Sequence, residues 1–252
     1  MNGSHGPAIL DLNTQADLFS HDGAYRLHDA DAIAANIKRL FAYLRGIRCL
    51  VVSTRLHHVV MPDKGAVHPI CVPGQSGYVK LSHTLLPRRT EMPADCGTDL
   101  PVQTISEIQQ CLFDLPDPNP FDSPRLDRLL SETETNTWLI LGGPLESSVR
   151  MAVLGLVQRR KNVVIVKDCM GWHDPYEAEM AMRQVESKNI EWLTVDEVIE
   201  RCNRKPVRHS RLLARLAHRP RGIAGASGGP GYRGRYKTPA SRYHLRHREE
   251  IT

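Results

Sequence analysis

Residues 137–149 read TWLILGGPLESSV, and the fold is organised around them. Trp138, Leu139, Ile140 and Leu141 form a short apolar run, the pattern of a strand buried on both faces. Gly142, Gly143 and Pro144 interrupt the run, and Glu146, Ser147 and Ser148 then open a helix that continues to about Arg159. A strand that stops at glycines and turns into a helix exposes backbone N–H groups at the helix start, where the dipole favours negative charge. A nucleophile at this turn would therefore have an oxyanion site beside it, formed around Gly143, Pro144, Leu145 and Ser147. The candidate nucleophile is Ser148, although no base lies near it in sequence. Ser147 and Ser148 also suit a plainer role, as capping residues for first-turn amides.

Outward from this stretch the pattern is alternating. Ala8 to Leu12 is an apolar strand that contains Asp11, and Asp31 to Leu44 has Ile33, Ile37, Leu40, Phe41 and Leu44 at helical spacing. Gly46 ends that helix, and Ile47 to Ser53 reads as a second buried strand. A third strand is expected near the end of Ile105 to Phe113, and a helix over Ser123 to Leu130 with Pro124 in its first turn. Beyond the central strand come a strand at Val163 to Val166, a helix at Asp174 to Ser187 and a short strand at Ile190 to Leu193. Thr194, with Glu197 three residues on, opens a last helix as a capping box. The alternation predicts a three-layer, doubly wound, Rossmann-like parallel sheet of about six strands. In such sheets sites lie at the carboxyl ends of strands, which places Asp11, the 114–117 loop and the 142–148 turn at the functional edge. Residues 55–104 are rich in His, Pro and Gly and read as an irregular stretch of the kind that serves function.

Charge divides the chain in two. Residues 204–252 hold 13 of the 33 Lys and Arg but only two of the 28 acids, a surplus of eleven positive charges. Residues 1–203 carry a surplus of six negative ones. The organisation expected is a folded domain over about 7–203 and a basic Arg/Gly-rich extension over 204–252, too rich in glycine to order itself by burial. Within the extension, VRHSRLLARLAHR at 207–219 is a candidate amphipathic helix with Leu212, Leu213 and Leu216 on one side. Tyr232, Arg233, Arg235, Tyr236 and Arg242 interleave aromatic and cationic groups, a pattern suited to loose binding of single-stranded RNA. The competing reading is a solubilising tail.

No run of 18 apolar residues predicts a membrane span, and MNGSHGPAIL does not read as a secretory signal, so a cytoplasmic protein is expected. The six cysteines form no C-x-x-C pair and no close cluster, which argues for reduced thiols over a zinc module or a disulfide scaffold. His57, His58, His68 and His83 are irregularly spaced and read as loop histidines. Cys71 could supply an alternative thiol, but a small buried hydrophobe is the simpler reading. Asp114 and Asp117, set among prolines, could act as an acid–base pair or form a solvated turn; the turn is preferred.

Several segments together resemble the isochorismatase-like cysteine hydrolases, the family that includes nicotinamidase and related amidases. AILDLNTQADLF resembles the opening strand with its catalytic Asp, here Asp11. CVPGQSGY resembles the C-V-x-G-T-x-G loop, LDRLLSETETNTWLILGGPLESSV the segment ending in G-x-x-T-x-x-C-V, and VVIVKDCMGWHDPYEAEMAMRQVESKNIEWLTVDEVI the V-V-x-D-A…T-x-E-V ending. The resemblance spans residues 7–203 and implies a six-stranded parallel sheet, hydrolysis of C–N or related bonds by an Asp–Lys–Cys triad, and a homo-oligomer. Asp11 matches the triad, but the Cys position falls on Ser148, the preceding Thr on Leu145, and the Lys position on or next to Leu115 in FDLPDPNPF. Nicotinamidases also bind a metal through a D-x-H pair and a later His. Here these positions hold Leu56, His58 and Ile70, so His58 is the one residual ligand candidate and no metal or other cofactor is expected.

A thiolate mechanism needs its thiol and its cation. With both substituted, the expectation is a catalytically degenerate protein that keeps the pocket to bind a small-molecule ligand or as a structural or interaction element. Two alternatives stand beside it: an amide-type hydrolase using Ser148 with Asp11, and an RNA-associated protein acting through the basic tail.

Overall fold

The computed structural model describes residues 7–63, 66–94, 97–100 and 108–203. Seven parallel strands make one sheet: β1 (Ala8–Leu12), β2 (Val51–Leu56), β5 (Arg89–Met92), β6 (Gln110–Leu115), β7 (Thr137–Gly142), β8 (Asn162–Met170) and β9 (Glu191–Leu193). Their order is β5-β6-β2-β1-β7-β8-β9. β3 (Val59–Asp63) and β4 (Ala66–Ile70) form a separate antiparallel hairpin. Among the described residues the α-helices are α1 (Ala16–Phe19), α2 (Ala30–Leu44), α3 (Pro124–Glu132), α4 (Arg150–Gln158), α5 (Pro175–Glu186) and α6 (Val195–Asn203).

The central strands are buried on both faces because helices cover both. One core cluster gathers Ile9, Leu139, Leu141, Val164 and Val166 with α1, α2 and α6. The other gathers Leu10, Leu12, Trp138, Ile140 and Ile165 with α3, α4 and α5. Successive strand side chains point to opposite faces, which is why continuous apolar runs occur here. This is the three-layer doubly wound sheet expected from the sequence, with one strand more. The additional edge strand β5 and the β3–β4 hairpin lie inside the stretch read as irregular. β5 is short and mostly exposed, so it carries no apolar periodicity to announce it. The second strand begins at Val51 rather than Ile47, because residues 47–50 are spent leaving α2.

Helix ends follow local chemistry. Ser123 accepts a hydrogen bond from Leu126 N ahead of Pro124, and Asp174 accepts one from Glu177 N ahead of Pro175. The Thr194–Glu197 capping box is closed in both directions, by Glu197 N to Thr194 Oγ1 at 3.2 Å and Thr194 N to Glu197 Oε2 at 2.7 Å.

The chain winds to one side of β1 through β2 and to the other through β7, so the switch point lies between β1 and β7. The two strands run in register from Ala8↔Trp138 to Leu12↔Gly142. Gly142 has φ +104°, and a Cβ there would stand 1.9 Å from the Leu12 carbonyl oxygen. Only glycine fits this close approach. The residues read from sequence as an amphipathic helix and an RNA-binding tail, 207–219 and Tyr232 to Arg242, lie outside the described residues. Among the described residues no helix is long and apolar enough to cross a membrane.

Candidate functional site

At the carboxyl end of β1 the chain turns through Asn13, Thr14 and Gln15, all buried. Asp11 shares a sheet face with Ile9, beside Ser53 of β2 in register. Its Oδ2 accepts from Ser53 Oγ at 2.7 Å and pairs with Lys80 Nζ at 2.9 Å; its Oδ1 accepts from Thr14 Oγ1 at 2.9 Å. The pair is sealed, with Asp11 0% and Lys80 2% exposed.

Lys80 is the residue that sequence reasoning misses. With Leu115 at the family's lysine position, the sequence leads one to expect Asp11 without a cation. Leu115 is indeed buried in the apolar core, but the ammonium arrives from another part of the chain. Residues 79–81 are clamped against 14–16: Ala16 N donates to Val79 O at 2.8 Å, Leu81 N to Thr14 O at 2.8 Å, and Gln15 bridges Lys80 in antiparallel fashion. Gln15 Nε2 also donates to Tyr78 O at 3.0 Å. This clamp aims the Lys80 side chain at Asp11. The signal in the sequence is slight: Lys80 is the sole lysine between Lys64 and Lys161, next to the glycine loop.

All three Lys80 N–H donors are taken, by Asp11 Oδ2, by Thr14 Oγ1 at 2.7 Å and by Thr54 O at 3.1 Å. Burial pushes the ammonium below its ordinary pKa, and the Asp11 carboxylate opposes that shift. Gln110 closes the network from β6, donating to Ser53 Oγ and Thr84 O at 2.8 Å each and accepting from Leu86 N at 2.7 Å.

Ser148 belongs to a different cluster. It is fully buried, and among the described residues its hydroxyl meets only Asn13, whose Nδ2 donates to it at 2.8 Å. The same Nδ2 donates to Gly143 O at 3.1 Å, and Asn13 Oδ1 accepts from Thr54 Oγ1 at 2.6 Å. Neither Asp11 nor Lys80 bonds to Ser148. The capping role expected of the two serines is not observed either. The turn Leu145–Val149 is a wide π-type turn without a side-chain cap, and Ser147 Oγ is buried with no partner among the described residues.

The backbone of this turn is expected to offer an oxyanion site around Gly143, Pro144, Leu145 and Ser147, and the three of these that carry an N–H are engaged. Gly143 N donates to Leu12 O at 3.0 Å, Leu145 N to Gly171 O at 2.9 Å, and Ser147 N to Pro144 O at 3.4 Å. Pro144 has no N–H, and its peptide bond with Gly143 is cis.

The other candidates separate from this centre. Asp114 is held by Arg55 in a two-point contact, at 2.6 and 3.0 Å, and Asp117 accepts from Asn119 N at 2.8 Å, as a turn residue does. Cys71 is fully buried, and burial and the nearby Asp17 push its thiol pKa up. Burial likewise pushes the Cys111 thiol to about 12, which keeps it un-ionised. For a metal, His58 is exposed and Leu56 is buried beside it in sequence, and no group of three or more His, Cys, Asp or Glu side chains comes together among the described residues. These residues do not fit the metal that the family resemblance implies.

The architecture is thus a doubly wound parallel α/β sheet with a buried Asp–Lys pair beside its switch point. The isochorismatase domain model matches residues 7–197, and the chain belongs to the isochorismatase family. Solved structures of similar fold include an isochorismatase-like hydrolase from Alkaliphilus metalliredigens (17% identity, TM-score 0.59, covering 79% of this chain and 97% of that one). Others are the MAR1 ribonuclease from Caenorhabditis elegans (15%, TM-score 0.52, 79% and 81%) and the pyrazinamidase of Pyrococcus horikoshii in complex with zinc (19%, TM-score 0.56, 75% and 98%). At such identities the likeness establishes the fold. No curated protein matches the sequence.

Proposed function

We propose that this protein is a non-hydrolytic member of its family, in which the buried polar centre organises the strand ends instead of performing chemistry. The observation that carries this reading is the division of the centre. The charged pair has every Lys80 donor satisfied, and the hydroxyl at the nucleophile position is held by an amide that cannot act as a base. A serine nucleophile requires a base within hydrogen-bond reach, and Ser148 has none. The turn supports the same conclusion, since the Gly143, Leu145 and Ser147 amides have carbonyl partners and Pro144 contributes no donor. The test is a screen of the purified protein against nicotinamide, other small amides and an isochorismate-type vinyl ether, with Ser148→Ala as control. The expected result is no turnover above background. Turnover that Ser148→Ala abolishes overturns the proposal and establishes the amide hydrolase using Ser148 with Asp11.

A second reading concerns the tail, and the charge division favours it. Eleven surplus positive charges over 204–252, with Tyr232 and Tyr236 among arginines, suit phosphate contacts and base stacking on single-stranded RNA. Affinity should fall steeply with salt. Joint Arg233→Gln, Arg235→Gln and Arg242→Gln substitution should weaken it and reduce the salt slope by about 1 for each phosphate that is no longer neutralised. Binding indifferent to salt sinks this reading.

A further inference from the structure

A cavity lies away from the Asp11 centre, beneath the amino ends of β7, β8 and β9. It measures about 760 Å³, within the range of small-ligand sites. Its floor is apolar: Leu139, Val163, Val164, Ile190 and Val198. Its rim is basic. Lys161 and Lys188 stand on it, and the one acid in the lining, Glu191, is already neutralised by Arg201 through two contacts of 2.6 and 2.7 Å. Lys161 Nζ donates only to the Thr133 and Thr135 carbonyls, at 2.9 and 3.1 Å, and Lys188 faces no carboxylate among the described residues. Two cationic charges thus border an apolar floor without counter-charge.

A second cavity of about 230 Å³ continues the first beneath β1, sharing Pro7, Leu139, Val198 and Cys202 with it. It adds Ile9, Tyr43, Leu44, Ile47 and Cys49, with Arg48 the one charged group in its lining. From β8 across β7 to β1 is two strand spacings, roughly 10 Å. The combined groove joins a rim carrying Lys161 and Lys188 to a largely apolar extension with Arg48 at its border.

We infer that this groove binds an anionic amphiphile, a medium-length alkyl carboxylate whose head pairs with Lys161 and Lys188 and whose chain runs beneath β7 towards Tyr43 and Ile47. Apolar area supplies the driving force, and the unpaired cations select the sign of the head group. This inference is independent of whether the Asp11 centre is catalytic.

The experiment is calorimetric titration of the full chain with dodecanoate below its micellar concentration, and with dodecyltrimethylammonium as the opposite charge. Two variants map the site: Lys188→Glu at the rim, and Cys202→Trp, an exposed position lining both cavities, which would obstruct their junction. The expected result is one dodecanoate per chain, at least tenfold weaker binding in either folded variant, and no matching site for the cation. Thermal unfolding identifies any variant that fails to fold, and the other then decides. Absence of dodecanoate binding, equal binding of the cation, or affinity unchanged in a folded variant overturns the inference. The last outcome would place the anion on the basic residues of 204–252.

Discussion

The two halves of the buried centre were built on the same strand end and have diverged in kind. On one side, Asp11 and Lys80 form an ion pair with every donor and acceptor matched, supported by Thr14, Ser53 and Thr54. On the other, Asn13 and Ser148 form a neutral contact between an amide and a hydroxyl, joined to the first through Thr54 alone. A hydrolytic triad needs its charge and its nucleophile in one network, because the charge exists to create the nucleophile. Here the charge persists where it holds structure together, and the nucleophile position is occupied by a group that makes a hydrogen bond.

The charged half can be broken most severely. Lys80→Met leaves the Asp11 carboxylate buried without a counter-ion, which typically costs about 3–5 kcal/mol. Replacing both partners, Asp11→Leu with Lys80→Met, removes the stranded charge, and Ser53 keeps Gln110 while Thr14 keeps Thr84 as partners. The double variant should therefore recover most of the loss, as read from urea midpoints at constant m-value. A Lys80→Met protein as stable as its parent would mean that the pair is not the structural element described, and would make Lys80 a candidate for a catalytic role.

How far the sequence reveals this arrangement depends on the distance over which each feature is encoded. β7, the glycines after it and the Thr194–Glu197 box are local: their residues touch near neighbours in the chain, so period and turn chemistry suffice. Asp11 is visible because it ends an apolar run. Lys80 lies 69 positions further on in a segment without periodicity, and its place is set by backbone contacts to 14–16, which no pattern within 76–84 encodes. The exposed edge strand β5 is hidden for a related reason, since its pairing to β6 is made by backbone groups and only Met92 is buried. The serines at 147 and 148 mislead because helix-start composition suggests caps, whereas the turn is wide and Asn13 reaches Ser148 from 135 positions away.

The neutral half should respond more mildly. In Ser148→Ala one Nδ2–H of Asn13 keeps the Gly143 carbonyl and the other loses its acceptor, so a loss of about 1–2 kcal/mol is expected. Asn13→Ala is more costly. It removes the contacts to Gly143, Ser148 and Thr54 at a residue with φ +53°, a region where asparagine is tolerated better than alanine. About 3 kcal/mol is expected from those terms together. Because the two residues share one bond, the double variant should cost less than the sum of the single ones. Strict additivity would show that the Asn13–Ser148 contact contributes nothing.

The smallest effect is expected at the far edge of the sheet, where α6 is held by exposed charges. Glu191 titrates below its ordinary 4.5 because Arg201 donates to its carboxylate, and Glu197 does so because Thr194 N–H donates to it. An acid with a lowered folded-state pKa binds fewer protons folded than unfolded, so its contribution is complete above 4.5 and is lost as pH falls through the lower folded value. Both side chains are largely exposed and screened, so global stability should hardly move. The change should appear locally: amide protection across 195–203 should decline on acidification while protection in α2 persists. Glu197→Gln should lower protection near neutrality and flatten that decline. If α6 and α2 lose protection together, the last helix is held by its apolar face through Val195 and Val198 rather than by its capping box.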